Sequence, residues 1–475
     1  MNKEEPLTPF RWMFSQEEGN QIINCAMNLK NPINLESVKS EFKNSILIQH
    51  PRFQSVLVRN TNNGREYWKR GDVNLDKHIF LIQDIDHGDS STSSNILSND
   101  EIVNGYLADR TVSSPLSIDK PLWELHVLRD QNCLVLRVNH ALGDGVSIMS
   151  LILTMCRKVD QPDELPSIPK HNSKSSRINI CEMIWRLVMK IWLTIVYLMG
   201  FLLRCLFMKD AKSKISGGHG VELWPRKLAT ARFKLDDMKS VKNAVLNANV
   251  YKFIWRTIND VLIGVVTSGL SRYLDYHRTP NSIPEQGLQI SGMAMVNLRE
   301  QRGLQDMANL VKSSSVTSWW GNKFGYILLP IFPRKNVGNN PLRYVMNAKE
   351  ILDKKKLSFE AHLTCAITKS AMSLLGPKVT YLLTNRVVCN TSFTITNVGG
   401  PQEEVMFGGN PVTSLRATSS SLPHALTMHM ISYAGKAEMQ ILVAKDIIPD
   451  PQFLAKCFED ALLEMKEAST ASVKT

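Results

Sequence analysis

The segment from residue 122 to residue 158 constrains the fold more than any other part of the chain. Two apolar runs, residues 122–128 and 133–138, flank four turn-forming residues, which is the pattern of a β-hairpin. A glycine-containing turn follows the second run, and residues 146–158 have the apolar spacing of a helix. The sequence therefore predicts a hairpin that delivers a short turn to the end of a strand, where reactive side chains are often placed.

This turn carries the pattern His-x-x-x-Asp-Gly, formed by His140, Asp144 and Gly145. An imidazole titrates near neutrality, and a positioned general base contributes about 10²–10⁴ in rate, so His140 is the candidate base. Asp144 is expected to hold the turn in shape through backbone donors or an arginine, for which Arg299 is the candidate. Gly143 and Gly145 allow a tight or left-handed backbone. The alternative is purely structural, with a packed histidine and an aspartate that caps the following helix.

The pattern resembles the His-His-x-x-x-Asp-Gly motif of the CoA-dependent acyltransferase superfamily, and in detail that of the plant wax ester synthase/diacylglycerol acyltransferase family. Further segments resemble motifs of that family in the same order along the chain. They are Pro6-Leu7-Thr8-Pro9, His50-Pro51-Arg52-Phe53, Pro121-Leu122-Trp123, Asn259-Asp260-Val261-Leu262, Val296-Asn297-Leu298-Arg299, Gly321-Asn322 and Asn397-Val398-Gly399-Gly400-Pro401. The likeness runs nearly end to end. One position departs, since Asn139 stands where the first histidine of the motif is expected.

The resemblance implies an α/β fold with two chloramphenicol-acetyltransferase-like subdomains and the active-site tunnel between them. His140 would lie near the middle of the tunnel, with acyl-CoA entering at one mouth and the alcohol at the other. The resemblance also implies a set of substrate-binding positions. These are Pro121, Leu122, Trp123, Asn139, Asn259, Asp260, Asn297, Arg299 and Asn397. Simpler interpretations stay open, namely core packing for Trp123, a helix cap for Asn259 and Asp260, and an exposed side chain for Arg299.

For function, the resemblance implies transfer of a fatty acyl group from acyl-CoA to a long-chain fatty alcohol, giving a wax ester, with diacylglycerol as a second acceptor. Acyl-CoA is then a co-substrate, and neither a cofactor nor a metal is expected. One alternative is a BAHD-type enzyme that acylates a soluble alcohol or amine, although the chain has no Asp-Phe-Gly-Trp-Gly motif. Another is a non-catalytic lipid-binding relative. The chain also lacks a Gly-x-Ser-x-Gly nucleophile motif, which favours direct transfer without an acyl-enzyme.

Composition and charge limit the classes of molecule that the protein is expected to bind. The 475 residues carry a formal charge of +12, and residues 157–227 contain thirteen Lys and Arg against six acids. Such a segment attracts anionic lipid, nucleic acid or the phosphates of CoA; the resemblance favours lipid and acyl-CoA and gives no role to nucleic acid. The eight cysteines show no zinc-site spacing, which predicts reduced thiols facing the cytosol. The first residues lack an apolar core, so no cleaved signal peptide is expected.

The most apolar run, residues 183–208, predicts a membrane-associated helix within a linker. Its charge-free part, residues 191–203, is shorter than the roughly twenty residues of a span. Its polar residues fall on one stripe of a helix, which predicts a helix lying in the membrane interface with that stripe in water. Two alternatives stay open, namely a short membrane span with Lys190 and Arg204 extended outward and a helix buried inside the protein. The stripe consists of Arg186, Lys190, Thr194, Tyr197 and Arg204.

The linker divides the chain into an N-terminal subdomain over residues 1–160, the linker over 161–227 and a C-terminal subdomain over 228–475. For the location, the resemblance implies the cytosolic face of the endoplasmic reticulum membrane, with the plasma membrane as a second choice. Local composition predicts a surface loop over residues 86–100, a linker segment over 161–177 and a strand over 231–235. Two histidines of the C-terminal part, His424 and His429, are predicted to be structural.

Overall fold

A computed structural model describes most of the chain. It describes all residues except 1–4, 17 and 18, 60–65, 84–96, 113, 168–178, 248–256, 279–288, 300–319, 334–339 and 475. Most of the predicted surface loop at residues 86–100 and the end of the predicted linker segment 161–177 lie outside the described residues.

The strands of the described residues are short to medium in length. In chain order they are β1 (Glu5–Pro6), β2 (Ile22–Leu29), β3 (Ser55–Arg59), β4 (Glu66–Arg70), β5 (Ile79–Ile82), β6 (Trp123–Leu128), β7 (Cys133–Asn139), β8 (Cys156–Lys158), β9 (Arg226–Lys234), β10 (Ile290–Asn297), β11 (Phe324–Ile331), β12 (Phe393–Gly399), β13 (Val405–Phe407), β14 (Asn410–Ser419), β15 (Leu426–Tyr433) and β16 (Lys436–Ala444).

The helices vary more in length. In chain order they are α1 (Pro9–Ser15), α2 (Leu35–Asn44), α3 (Ile46–Gln49), α4 (Asn99–Arg110), α5 (Gly145–Thr154), α6 (Ile180–Leu206), α7 (Leu235–Asn247), α8 (Ile258–Tyr276), α9 (Leu342–Leu357), α10 (Glu360–Cys389) and α11 (Pro451–Lys474).

The N-terminal sheet has seven strands in the order β5-β6-β7-β2-β14-β13-β8. Strands β6 and β7 form the predicted hairpin, with Trp123 opposite Val138 and Leu128 opposite Cys133. Every residue of β7 is buried, and its one charged side chain, Arg137, forms an ion pair with Glu124. The hairpin prediction is confirmed, and β7 places its C-terminal end, and so His140, at the interior edge of this sheet.

The C-terminal sheet has six strands in the order β11-β10-β12-β15-β16-β9. Helices α7, α8, α9 and α11 contribute to a second hydrophobic core against it, around side chains such as Phe393 and Phe458. Burial of one such side chain stabilises the fold by about 1.5–3 kcal/mol. Gly269 on α8 permits this packing, because a Cβ there would lie 2.2 Å from the Phe458 ring. The α/β class and the two sheet-containing halves match the prediction.

Strand β14 joins the two halves. It belongs to the C-terminal part of the chain, yet it pairs antiparallel with β2 in the N-terminal sheet, from Val412 opposite Leu29 to Ser419 opposite Ile23. The chain then returns to the C-terminal sheet as β15. The predicted boundary at residue 228 therefore does not separate the two sheets, because β13 and β14 lie in the sheet of the other half.

Two local predictions need correction. The predicted helix over residues 146–158 ends at Thr154, and Cys156–Lys158 is instead strand β8, which pairs with β13. The strand predicted at residues 231–235 begins earlier, at Arg226, and Leu235 already belongs to α7. Both corrections come from pairing with distant strands, which local periodicity does not reveal.

Helix α6 is, among the described residues, the helix that is long and apolar enough to cross a membrane by length and composition. The predicted orientation of its polar stripe is wrong, because much of the stripe faces the protein. Lys190 Nζ lies 3.7 Å from the centre of the Phe359 ring, and Thr194 Oγ1 accepts a hydrogen bond of 2.9 Å from Phe359 N. Arg204 forms a 2.8 Å ion pair with Asp210. The apolar side of α6 is consequently the exposed side.

Candidate active site

One cavity of about 730 Å³ is enclosed by both sheets, and His140 lies in its wall. The N-terminal half contributes α1 and the turn after β7, and the C-terminal half contributes β10, β12, the end of β14 and β15. Its size is that of a small-molecule site, and methionines such as Met293 and Met295 make much of the wall apolar. Residues of the two halves thus meet around one histidine.

His140 is fixed by its backbone and by two aromatic rings. Its backbone N–H donates to the Gln21 carbonyl over 2.7 Å, which ties the turn to the start of β2. The ring of Phe14 lies 4.3 Å from the imidazole, centre to centre, and the ring of Phe324 lies 5.9 Å away in an edge-to-face arrangement. The imidazole is therefore held in one orientation.

Asn322 determines which nitrogen of His140 carries the proton. The Asn322 Nδ2 donates to the His140 carbonyl over 2.8 Å, so its Oδ1 is the atom that lies 2.9 Å from His140 Nδ1. An amide oxygen only accepts, and Nδ1 must therefore carry the hydrogen. The unprotonated nitrogen is Nε2, on the other edge of a ring that lines the cavity. That is the tautomer a general base needs.

Burial also favours the neutral form of His140. Burial lowers the pKa of His140 below its ordinary value of 6.5, and the opposing influence of Asp144, of the His140 backbone and of Asn322 is smaller. The imidazole is consequently neutral at physiological pH and able to accept a proton.

Asp144 holds the turn and connects the two halves. Its carboxylate caps α5 by accepting from Ser147 N over 3.0 Å, and it accepts from Lys323 N, also over 3.0 Å. Its third partner is Arg299, at 2.7 Å, and the side chains of this pair are 2% and 8% exposed for Arg299 and Asp144. The predicted pairing of Asp144 with Arg299 is confirmed, and it lies at the junction of the two halves.

The glycines of the motif act through close packing. Neither Gly143 nor Gly145 has a positive φ, so the expected left-handed backbone is absent at both positions. At Gly143 a Cβ would lie 3.2 Å from the Trp320 ring, whose Nε1 donates to the Leu142 carbonyl over 2.7 Å. Gly145 is the first residue of α5 and lines the cavity beside Val398.

Two of the predicted substrate-binding residues reach the cavity. Asn297 and Asn397 lie in its wall at an exposed edge. Asn259 supports this edge, since its Oδ1 accepts a 2.7 Å hydrogen bond from Asn397 Nδ2. Asp260 instead accepts from Thr257 N at the start of α8 and pairs with Lys356 at 3.0 Å, which agrees with a helix cap.

The segment Pro121, Leu122 and Trp123 does not line the cavity. Trp123 is fully buried at the start of β6, where its Nε1 donates to the Phe53 carbonyl over 3.1 Å. Its ring also stacks on His78 with the centres 4.1 Å apart. The substrate-binding position that the resemblance implies for this segment differs from the structure, and the core-packing interpretation of Trp123 agrees with it.

Asn139 shapes the turn from within. Its Oδ1 accepts from Ala141 N over 2.8 Å, and its Nδ2 donates to Asn20 Oδ1 over 2.6 Å. Asn139 is buried and lies outside the cavity wall. Asn139, at the position where the motif has its first histidine, thus stabilises the backbone of the turn.

His429 is a cavity residue that the sequence did not single out for the site. It lines the wall, with Nδ1 2.9 Å from Thr396 Oγ1 and Nε2 3.2 Å from Ser419 Oγ. Burial, and then the neighbouring His140, lower the pKa of His429 to about 4. His424 lies outside the wall, between Thr391 and Thr394. The sequence carried no signal for His429, because only the neighbouring strands bring its hydroxyl partners to it.

Comparison with known proteins identifies the chain. A family model for the wax ester synthase/diacylglycerol acyltransferase catalytic domain matches residues 30–250, and a model for the WS/DGAT C-terminal domain matches residues 320–466. Wax ester synthase/diacylglycerol acyltransferase 5 of Arabidopsis thaliana is 33% identical over 98% of this chain and 94% of its own length.

Two solved structures share the fold. The wax ester synthase/diacylglycerol acyltransferase from Marinobacter aquaeolei VT8 matches with a TM-score of 0.58 at 15% identity, covering 98% of this chain and 100% of that chain. The trichothecene 15-O-acetyltransferase from Fusarium sporotrichioides matches with a TM-score of 0.52 at 12% identity, covering 98% and 95%. The fold is thus that of CoA-dependent acyltransferases and condensation domains. Within that class, the chain belongs to the wax ester synthase/diacylglycerol acyltransferase family of enzymes.

Proposed function

We propose that the protein transfers a fatty acyl group from acyl-CoA to a long-chain alcohol, making a wax ester, and that diacylglycerol is a second acceptor that yields triacylglycerol. The observation that carries the proposal is the neutral His140, whose free Nε2 belongs to a ring in the wall of a largely apolar cavity. Family membership supports the reaction class. No cofactor is required, because acyl-CoA brings the activated carbonyl.

The reaction follows from the position of the base. His140 Nε2 takes the hydroxyl proton while the alcohol oxygen attacks the thioester carbonyl. The new C–O bond forms, the C–S bond breaks, and the CoA sulfur leaves with the proton that His140 had accepted. Asn322 acts through His140. Its Oδ1 holds the Nδ1 proton and stabilises the imidazolium that forms in between.

The serine beside His429 is a poor nucleophile, which supports direct acyl transfer without an acyl-enzyme. Ser419 is the hydroxyl that lies beside a second histidine, 3.2 Å from His429 Nε2. His429 rests on the hydroxyl of Thr396, not on a carboxylate, and its pKa of about 4 makes it a weak base. A serine needs an adjacent effective base to become a nucleophile, so Ser419 is a poor candidate for an acyl-enzyme.

The location belongs to the same proposal. The long exposed apolar face of α6 supports work at a membrane surface, and we assign that surface to the cytosolic side of the endoplasmic reticulum. The exposed edge formed by Asn297 and Asn397 carries two amide side chains, and we assign it to acyl-CoA.

The test uses purified full-length protein with labelled palmitoyl-CoA and either hexadecanol or diacylglycerol, with the products separated by lipid class. The wild type should form ester, and His140→Ala should lose nearly all of it while remaining folded by circular dichroism. His362→Ala, at an exposed histidine on α10, is the matched control and should retain activity. A folded His140→Ala with near wild-type turnover contradicts the assigned base, and a wild type without ester product identifies a lipid-binding relative.

A further inference from the structure

The second half of α10, residues 377–389, is a single helical layer between the cavity and the outside of the protein; we call it the wall helix. It begins after a break at Gly376, whose φ is 79°, and at Pro377. One side of the wall helix lines the cavity, through residues with the spacing of one helix face. These residues are Tyr381, Thr384, Asn385 and Val388.

The opposite side of the wall helix is apolar and exposed. Val379 and Leu383 are 42% and 38% exposed, and Leu382 beside them is 63% exposed. Leu374 and Leu375, just before the break, are 82% and 54% exposed. A leucine of a single soluble domain is seldom exposed in such a cluster. The wall helix therefore has one face toward the substrate cavity and one face toward an apolar surrounding.

Helix α6 extends this apolar surface. Arg386 of the wall helix donates to the Leu206 carbonyl at the end of α6 over 3.0 Å, and Phe201 of α6 packs in one cluster with Val387. Because the polar stripe of α6 faces α9 and α10, its other side exposes large apolar residues along the whole helix. They include Met183, Ile184, Trp185, Leu187, Val188, Ile191, Trp192, Ile195, Val196, Met199, Leu202, Leu203 and Leu206. We call this surface of α6 and the wall helix the membrane face.

Charge around the membrane face fits a lipid leaflet with anionic headgroups. The exposed bases beside it are Lys209, Lys212 and Lys214 after α6, and Lys378 and Arg386 on the wall helix. Helix α6 alone is about 40 Å long, which exceeds what a ligand of ordinary size covers. Exposed tryptophans, such as Trp185 and Trp192, are typical of a membrane interface. Because α6 contacts the protein along its polar side, its exposed apolar side is the side available to the leaflet.

The cavity has a mouth beside the wall helix. Leu223 lines the cavity and is 66% exposed, and Trp224 next to it is 40% exposed. Glu222, which precedes Leu223, also lies in the cavity wall, and the same wall includes Asn385 and Val388 of the wall helix. Two apolar side chains, Leu223 and Trp224, thus lie at an opening of the cavity that the wall helix also lines.

We infer that the lipid acyl acceptor enters sideways from the membrane leaflet, between Leu223 and the wall helix, and reaches His140 without passing through water. This route rests on the proposed function. The break at Gly376 and Pro377 allows the wall helix to yield, because proline has no N–H to continue the hydrogen-bond ladder of the first half. Acyl-CoA uses the opposite edge at Asn297 and Asn397, so the two substrates meet at His140 from two sides.

The test compares two acceptors and two tryptophan variants of the full-length protein. The acceptors are hexadecanol, embedded in phosphatidylcholine vesicles that contain phosphatidylserine, and butanol, which is dissolved in water. Thr384→Trp adds bulk on the cavity side of the wall helix, and Leu382→Trp adds it on the outer side. Thr384→Trp should lower the ratio of hexadecanol to butanol transfer about tenfold or more, and Leu382→Trp should leave the ratio unchanged. A loss of both activities in equal proportion, or an unchanged ratio in Thr384→Trp, overturns the route.

A measurement without turnover separates the route from the reaction. Hexadecanol that carries a diazirine, in the same vesicles, should label the wall helix on irradiation. Labelling there without any ester product refutes the proposed function and keeps the route, whereas labelling confined to the edge at Asn297 and Asn397 overturns the route. If the protein does not float with the vesicles, the membrane face binds something other than lipid, such as a protein, and the inference is wrong.

Discussion

Removal of the Asp144 carboxylate should destabilise the protein and weaken catalysis together. Alanine deletes three interactions, with Ser147 N, Lys323 N and Arg299. Loss of the helix cap costs about 0.5–2 kcal/mol. Loss of one partner from a buried ion pair costs about 3–5 kcal/mol, toward the lower end here because Arg299 keeps bonds to Asn297 and Gly321. We expect about 4 kcal/mol in total. Because the unfolding entropy of a 475-residue chain is about 1 kcal/mol/K, the Tm should be lower by about 4 °C.

The assay combines thermal melting with ester formation at a temperature where every variant is folded. Asp144→Asn should lose about half as much stability, because its amide oxygen still caps α5 while the charge is gone. Asp210→Ala is the matched control, since Asp210 forms a comparable buried pair with Arg204 and also accepts from Ser291 N. That control should melt earlier and still turn over normally once folded.

A double-mutant cycle isolates the ion pair itself. Asp144→Ala combined with Arg299→Met should be less destabilised than the sum of the single variants, because the second change removes the unpaired buried charge. An additive cycle would show that the pair contributes little. An inactive Asp144→Ala that melts like the wild type would refute the architectural role and assign Asp144 to the chemistry.

Three further predictions follow from the same structure. Asn322→Asp places a carboxylate at His140 Nδ1 and should raise the pKa of His140, so the acid limb of the pH–rate profile should move to higher pH; an unmoved limb would exclude Asn322 as its partner. Burial lowers the pKa values of His50, His424 and His429 to about 3, 3 and 4 in the folded state. Because the unfolded chain takes up these protons below pH 6.5 and the folded protein does not, the free energy of unfolding should decrease as the pH falls from 6.5 toward 4. A Tm that stays constant over that range would contradict this. Val188→Glu on the membrane face should abolish flotation with vesicles, while Leu463→Glu on α11 should not, although both side chains are 52% exposed; equal behaviour of the two would argue against a localised membrane face.

The sequence predicted what depends on neighbouring residues and missed what depends on distant ones. The hairpin, the turn of His140 and the start of α8 follow from local periodicity and turn chemistry, and the structure has them. The pairing of Asp144 with Arg299 agrees with the prediction, which joins an aspartate in the glycine turn to an arginine just after a predicted strand. The orientation of His140 depends on Asn322, which comes from the other half of the chain, and no local pattern reveals its hydrogen bond.

Helix α6 shows the same limit in another form. Periodicity gave the polar stripe on one side of the helix, but it does not say whether water or protein covers that side. The structure places aromatic and charged partners there, including Phe359 and the ammonium of Lys355, which lies 3.6 Å from the centre of the Tyr197 ring. These partners come from the chain beyond residue 350, so the decision is made by tertiary packing.

Strand β14 determines how the enzyme is filled and emptied. It pairs antiparallel with β2 in one sheet, and residues 420–425 lead directly into β15 of the other sheet. The two halves therefore cannot separate by a hinge motion without breaking the backbone hydrogen bonds between β14 and β2. Long chains must therefore enter and leave through the openings of the cavity at Leu223 and at Asn297 and Asn397, while the two halves stay joined. A wax ester, with an alkyl chain on each side of the new bond, then has to slide out along its own axis. Release of the product into the surrounding lipid, and not a hinge motion, should therefore limit the rate of turnover.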